Sequence, residues 1–346
     1  MRSRTRLTLA TAFLALLFAS AIDAAPISGL YIFGDSLSDP GNSAIDFGST
    51  VVPPFKVTQQ SDITSNAFIP TFPYASSFQY SNGNVWAYQF ATMLGLPSQV
   101  AGPVRGGGIG ANYAFANAAT GPLNNTTPPP SLLTQTGNFI ASLGDAQAPG
   151  DALYVIAGGG NNARTALSAI AGGADATATI GATAVQFAAD IGNIVDALQG
   201  KGARRIIVWN APNLGLAPAV VAGGPTASFL GTTLTTSMND AMALRLAGEV
   251  DVKTFDLFGL ITSITANPGA YGLTNATVAS GALPGADPST YLCWDGIHPT
   301  SAGHAILAQA MYVVAVPEPS GYLLVVTSLM SVVTVLYRRS KTRRTS

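Results

Sequence analysis

The chain has 346 residues, of which 48% are hydrophobic and 10% charged, against about 25% charged in soluble domains, which excludes a disordered polar chain. Its 37 Gly and 22 Pro follow no fixed period, which excludes collagen and solenoid architectures. The net charge of −1 hides a sorted distribution: eight basic residues sit at the two ends, and residues 26–316 hold eight basic against 15 acidic side chains, a body of net charge −7. Such a body repels phosphate backbones, so no nucleic-acid partner is expected.

In chain order, Arg2, Arg4 and Arg6 precede an apolar run from Leu7 to Ala19 and small residues at Ala19-Ser20-Ala21 and Ala24-Ala25. That order predicts a secretory signal peptide over residues 1–25; the alternative is an uncleaved anchor helix, but the run is short for a span of about 20 residues. Leu30-Tyr31-Ile32-Phe33, Ala152 to Ala157 and Ile206 to Trp209 are β-rich apolar runs ending in Gly, Asn or Pro, and read as buried parallel strands. Val252 to Phe255, closing on Asp256, is a weaker strand. Helical patterns fall between them: Val85 to Leu94, Ser131 to Leu143, Ala176 to Leu198, and Leu230 to Leu246 with Asn239 and Arg245 on its polar face. Ser301 to Val313 follows Pro299-Thr300, a start signal for a last helix. Strands separated by helices predict an α/β fold, a three-layer α/β/α sandwich around a parallel sheet over residues 26–315. Ser43 to Gln79 and Gly121 to Pro130 read as loops flanking the carboxyl ends of the strands, where ligands of such sheets bind. The glycine run at Gly106 to Gly110 has no preceding strand and no Lys-Ser/Thr ending, so it reads as a flexible turn.

The tail has three consecutive parts: Val316-Pro317-Glu318-Pro319-Ser320, an apolar stretch from Gly321 to Tyr337, and a basic cluster from Arg338 to Arg344. As a helix the stretch would reach about 25 Å, just short of a ~30 Å hydrocarbon core, with the arginines holding its end in the cytoplasm. A bare membrane anchor is one reading. The order Pro-Glu-Pro, apolar span and arginine cluster also resembles the PEP-CTERM sorting signal of Gram-negative bacteria. That resemblance makes residues 316–346 a sorting tail with a transmembrane segment at 321–337, and implies exosortase-type machinery as a partner. Either reading leaves the body outside the cytoplasm.

Chemistry concentrates at two places. Gly34-Asp35-Ser36-Leu37-Ser38-Asp39 follows the first strand directly and sets Ser36 at its carboxyl end; alone, Gly-Asp-Ser is equally a turn cap. Only two histidines exist, His298 and His304, and the first lies in Asp295-Gly296-Ile297-His298-Pro299. A serine that attacks at neutral pH needs a base to take its proton, and the base needs a partner to hold its tautomer. Asp295 and His298 suit those roles. His304, inside the last predicted helix, reads as a residue of the surface or of the layer behind the base. The single cysteine, Cys293, forms no intramolecular disulfide and reads as a small buried packing residue. No His/Cys cluster has metal-ligand spacing, and no cofactor is implied.

With these residues in view, the stretch from Leu30 to Val313 resembles the GDSL, or SGNH, hydrolase family. Gly34-Asp35-Ser36-Leu37-Ser38 matches its first block and Asp295-Gly296-Ile297-His298 its last. Gly110-Ala111-Asn112-Tyr113-Ala114-Phe115 looks like the second block, Gly159-Gly160-Asn161-Asn162 the third, and Asn210 to Gly215 is similar to a Pro-Asp-Leu-Gly stretch of longer members. The resemblance implies a flavodoxin-like sandwich with about five parallel strands and an ester hydrolase with Ser36 as nucleophile, His298 as base and Asp295 as its carboxylate. It also implies oxyanion donors from the Ser36 backbone, the Asn117 backbone and the Asn161 side chain. Two positions depart from the family: Ala116-Asn117 replaces Gly-Gly, and Asn162 replaces Asp. The substrates it implies are lipids, short acyl esters or acetylated polysaccharides. The alternatives are a catalytically weak matrix-binding module on the same fold and an acyltransferase using the same serine; Phe72, Tyr74, Phe78 and Tyr80 either line a pocket or pack in the core.

Overall fold

The computed structural model describes residues 26–43, 79–97, 111–122 and 129–316. Ile27–Tyr312 forms one compact unit; the two ends group apart from it, and most of their residues, the predicted leader and the apolar stretch 321–337 included, lie outside the described residues. So do residues 44–78, 98–110 and 123–128, which hold most of the two predicted loops and the glycine run. Among the described residues no helix is long and apolar enough to cross a membrane.

Four strands make the central sheet: β1 (Leu30–Gly34), β2 (Leu153–Ala157), β3 (Ile206–Trp209) and β4 (Val252–Phe255). They lie in the order β1-β2-β3-β4, all parallel, with Gly34 opposite Ala157 and Trp209 opposite Phe255. The expected fifth strand is reduced to a short ladder. Residues 111–115 run parallel to β1 through the Ile32–Asn112 bridge, and Tyr113 and Phe115 donate to the Ile32 and Gly34 carbonyls at 2.8 and 3.1 Å.

Helices α1 (Trp86–Met93), α2 (Leu132–Leu143), α3 (Gly160–Ala171), α4 (Ala176–Gly200), α5 (Pro218–Val221), α6 (Pro225–Leu246), α7 (Leu257–Ala266) and α8 (Ser301–Ala315) fill the connections. Side chains alternate along each strand, so the sheet has two apolar faces. On one, Phe33, Tyr154, Ile156 and Val208 join Phe139 of α2, Phe187 and Ile191 of α4, and Leu234 and Met238 of α6 in a single buried cluster. On the other, Trp209 packs against Trp86 of α1 and Phe255, with ring centroids 4.4 and 4.6 Å apart, and donates its indole N–H to Met311 Sδ of α8. This is the predicted three-layer sandwich.

The helix starts follow local chemistry. Ser131 and Asp175 each accept a backbone N–H from the first turn of α2 and α4, and α6 begins five residues before the expected Leu230 because Pro225 occupies its first position. Its two polar residues do more than face solvent: Asn239 bonds both backbone groups of Ala211, and Arg245 joins Asp196 of α4 and Glu249. A separate two-stranded parallel sheet, β5 (Asn275–Ala279) with β6 (Tyr291–Cys293), packs its Ala276 and Leu292 with Ile264 of α7. It carries the segment that follows Cys293 back to the end of β1.

Candidate active site

Strand β1 ends in a clamp. The Gln135 amide of α2 accepts from the Gly34 N–H at 2.8 Å and donates to the Gly34 carbonyl at 2.9 Å. A Cβ on Gly34 would lie 2.8 Å from the Ala157 carbonyl and 3.0 Å from Ser38 Oγ, so only glycine lets the two strand ends approach this closely. Beyond it the chain turns: the Asp35 carboxylate accepts the Leu37 N–H and the Asp35 carbonyl the Ser38 N–H, both at 3.0 Å. Ser36 stands at the apex of that turn, buried. Burial pushes the Asp35 carboxyl up to about 6, against the Leu37 N–H and the charges of His298 and Arg164, which favour its ionised form.

From the other end of the body, β6 is folded back by a bridge between Cys293 and Pro299 and by the Trp294 N–H donating to the His298 carbonyl at 2.8 Å. Inside that loop Asp295 Oδ1 accepts the backbone N–H groups of Ile297 and His298 at 2.8 and 2.7 Å, which leaves Oδ2 against His298 Nδ1 at 2.6 Å. His298 Nε2 lies 2.8 Å from Ser36 Oγ. A carboxylate only accepts, so Nδ1 carries the proton and Nε2 is left as acceptor for the seryl O–H. Asp295, His298 and Ser36 are 5, 5 and 9% exposed. The Tyr80 ring packs beside the imidazole, centroids 5.5 Å apart, while Phe72, Tyr74 and Phe78 lie outside the described residues.

The other expected oxyanion residues, Asn117 and Asn161, lie on the segment that follows residues 111–115 and at the start of α3. Asn117 has φ 65°, the left-handed conformation that Asn tolerates better than most residues. Neither its backbone N–H nor that of Ser36 makes a hydrogen bond among the described residues. The conformation is held from outside: fully buried Asp39 accepts the Gly41 and Asn42 N–H groups at 2.7 Å and the Ala116 N–H at 2.9 Å. Asn42 donates to the Asn112 and Ala114 carbonyls, and Asn112 to the Ser38 carbonyl. Asn161, in the first turn of α3, donates its amide to the Ala118 carbonyl at 3.0 Å. Its neighbour Asn162 accepts the Thr120 N–H and donates to Thr120 Oγ1, which in turn donates to buried Asp190. An asparagine in place of the family's aspartate thus braces the loop through both ends of its amide.

Two sequence expectations meet different outcomes. Of the two places expected for His304 the surface is excluded, since it is fully buried; among the described residues neither ring nitrogen has a hydrogen-bond partner. Burial and the neighbouring His298 push its pKa down to about 3, so it is neutral near pH 7. The helical pattern placed it in α8 but could not say which face of α8 meets the sheet. Cys293 is buried with its thiol pushed up to about 12 by burial and by the Asp295 charge, an inert packing residue as expected. Sequence reasoning missed Asp39, Asn42 and Arg164. The first two follow Ser36 so closely that the signal was there to find: a polar run of Asp39, Asn42 and Ser43 beside a strand end has buried backbone to satisfy.

A family model described as GDSL-like Lipase/Acylhydrolase matches residues 30–311. Across an alignment of 345 positions that takes in 90% of the chain and 52% of the relative, the chain is 28% identical to an uncharacterized protein in the trpE-trpG intergenic region of Pseudomonas putida. Across alignments of 328 positions that take in 83% of the chain and 46% of each relative, it is also 28% identical to Esterase EstA of Pseudomonas aeruginosa and to Esterase EstA of P. putida. The chain therefore spans about half the length of these curated relatives.

Proposed function

The chain belongs to the GDSL-like lipase/acylhydrolase family, and from that premise we propose that it is an exported serine esterase hydrolysing carboxylic esters through an acyl-enzyme. The observation that carries this reading is the unbroken line Asp295–His298–Ser36, with contacts of 2.6 and 2.8 Å. In it His298 takes the proton as Ser36 Oγ attacks the ester carbonyl, and Asp295 stabilises the imidazolium that forms. The tetrahedral oxyanion is received by the N–H groups of Ser36 and Asn117 and by the Asn161 amide. His298 then protonates the leaving alcohol, and a water molecule attacks the acyl-enzyme by the same route in reverse.

Leu37, Ile297 and Pro299, the chain neighbours of Ser36 and His298, line an apolar cavity with Leu214, Leu216 and Leu257, and none of the three triad residues is part of its lining. The name esterase on two relatives agrees with this reading. Export is supported by the basic and apolar leader, and envelope sorting through exosortase-type machinery by the order of Pro317-Glu318-Pro319, apolar stretch and arginines. In that setting lipids, short acyl esters and acyl groups on extracellular polysaccharide are the substrates within reach.

The test is turnover of p-nitrophenyl esters of increasing chain length by the purified protein and by Ser36→Ala, matched for folding by circular dichroism. Hydrolysis should fall by about 10⁴-fold or more in the variant. Equal turnover in both would remove Ser36 from the mechanism. Product formed on an added alcohol in preference to water would make the enzyme an acyltransferase.

A further inference from the structure

Arg164 stands one helical turn beyond Asn161 in α3, so the two side chains share a face. Its Nη1 donates to Asn161 Oδ1 at 3.0 Å, while Asn161 Nδ2 donates to the Ala118 carbonyl, also at 3.0 Å. A guanidinium can only donate and a carbonyl can only accept, so these two partners allow the amide a single orientation. They engage Oδ1 and one Nδ2 hydrogen, and leave the second Nδ2 hydrogen for an incoming oxyanion. Ala118 follows Asn117 directly, so the same contact ties the side-chain donor to the backbone donor beside it. The placement relative to the nucleophile follows from the sheet: Gly34 is opposite Ala157, and a Cβ on Gly160 would lie 3.8 Å from Asp35 Oδ2. Burial works against the Arg164 charge, and the carboxylates of Asp295 and Asp35 work for it.

We propose that Arg164 is a positioning residue for the oxyanion site, fixing and polarising the Asn161 amide so that its remaining N–H meets the developing negative charge. Polarisation follows from the same bond, since a cation on Oδ1 withdraws electron density from Nδ2 and strengthens it as a donor. The proposal rests on the serine-hydrolase reading, and the experiment separates the two.

The full-length protein is treated with an alkyl fluorophosphonate, which needs no knowledge of the natural substrate. Ser36 Oγ bonds to phosphorus, the P–F bond breaks, fluoride leaves, and the seryl proton passes to His298. The second-order rate constant is read by intact mass for the parent, Arg164→Gln, Arg164→Lys, Asn161→Ala and the Asn161→Ala/Arg164→Gln double variant, each with its thermal midpoint. Arg164→Gln should react about ten- to a hundredfold more slowly than the parent, and Arg164→Lys should recover part of that loss. In the Asn161→Ala background the Arg164 change should alter the rate by no more than about twofold, because its partner is gone. A merely structural role would lower the thermal midpoint and leave the two losses multiplying. Multiplying losses, or an Arg164→Gln rate equal to the parent's, overturns the proposal while Ser36 stays labelled. A parent that is not labelled at Ser36 overturns the serine-hydrolase reading, and this proposal with it.

Discussion

Asn117 stands where the family carries a glycine, and on the proposed reading the site takes from this position a backbone N–H in a left-handed turn, the conformation Asn117 holds at φ 65°. The conformation disfavours side chains with a Cβ, and β-branched ones most. Asn117→Gly should therefore keep kcat within about threefold of the parent, while Asn117→Val, strained by about 1–3 kcal/mol, should lose about tenfold or more. Steady-state kinetics on one ester, with KM compared alongside, checks this; equal activity of the Val variant would mean that the N–H of Asn117 is not used.

At the scale of elements, the site depends on how closely β1 and β2 end beside each other. Ala at position 34 would set its Cβ 2.8 Å from the Ala157 carbonyl, a backbone atom that cannot swing away. Gly34→Ala should destabilise the fold by about 1–3 kcal/mol and also lower activity by displacing Ser36, readable as a shift in urea midpoint with kcat measured well below it. The same elements explain what was legible in the sequence. Short β-rich runs bounded by Gly, Asn or Pro located β1, β2 and β3, because a strand buried on both faces needs continuous apolar residues; β4, whose Lys253 and Thr254 are exposed, showed only the weaker pattern of Val252 to Phe255 closing on Asp256. Helix α3 was not legible, since Gly159-Gly160-Asn161-Asn162 has the composition of a turn and becomes helical only where the strand end and Ala118 hold it. The fifth strand was illegible for the opposite reason: residues 111–115 pair with β1 through a few bonds, and Asn42 and Asp39 hold the rest. Ser36, Asp295 and His298 could be named because nucleophile, base and carboxylate each need a particular residue type. Arg164 could not, because its role arises only from a contact.

Over the whole molecule, two buried groups unused as base or nucleophile pull its stability in opposite directions with pH. The Asp35 carboxyl is raised from 3.8 to about 6, so the folded state holds its proton longer than the unfolded state. The stability this brings is full below pH 3.8 and lost as pH rises through 6. Burial raises Asp39 in the same direction. His304 is lowered from 6.5 to about 3, so its contribution is full above pH 6.5 and lost as pH falls through 3. Between about pH 4 and 6 the two slopes oppose each other, each carrying on the order of a few kcal/mol. Removing one should expose the other. His304→Leu also deletes two buried nitrogens that have no partner among the described residues and should gain about 1–3 kcal/mol at pH 7, with stability that now declines as pH rises from 4 to 6. Asp35→Asn, which keeps an acceptor for the Leu37 N–H, should move the slope the other way: stability that falls less, or rises more, with pH than the parent's over the same window, with Asp39 still opposing His304. Urea unfolding of the parent and both variants at half-unit pH steps measures all three slopes. Parallel curves for parent and His304→Leu would mean that His304 titrates as freely in the folded chain as in the unfolded one.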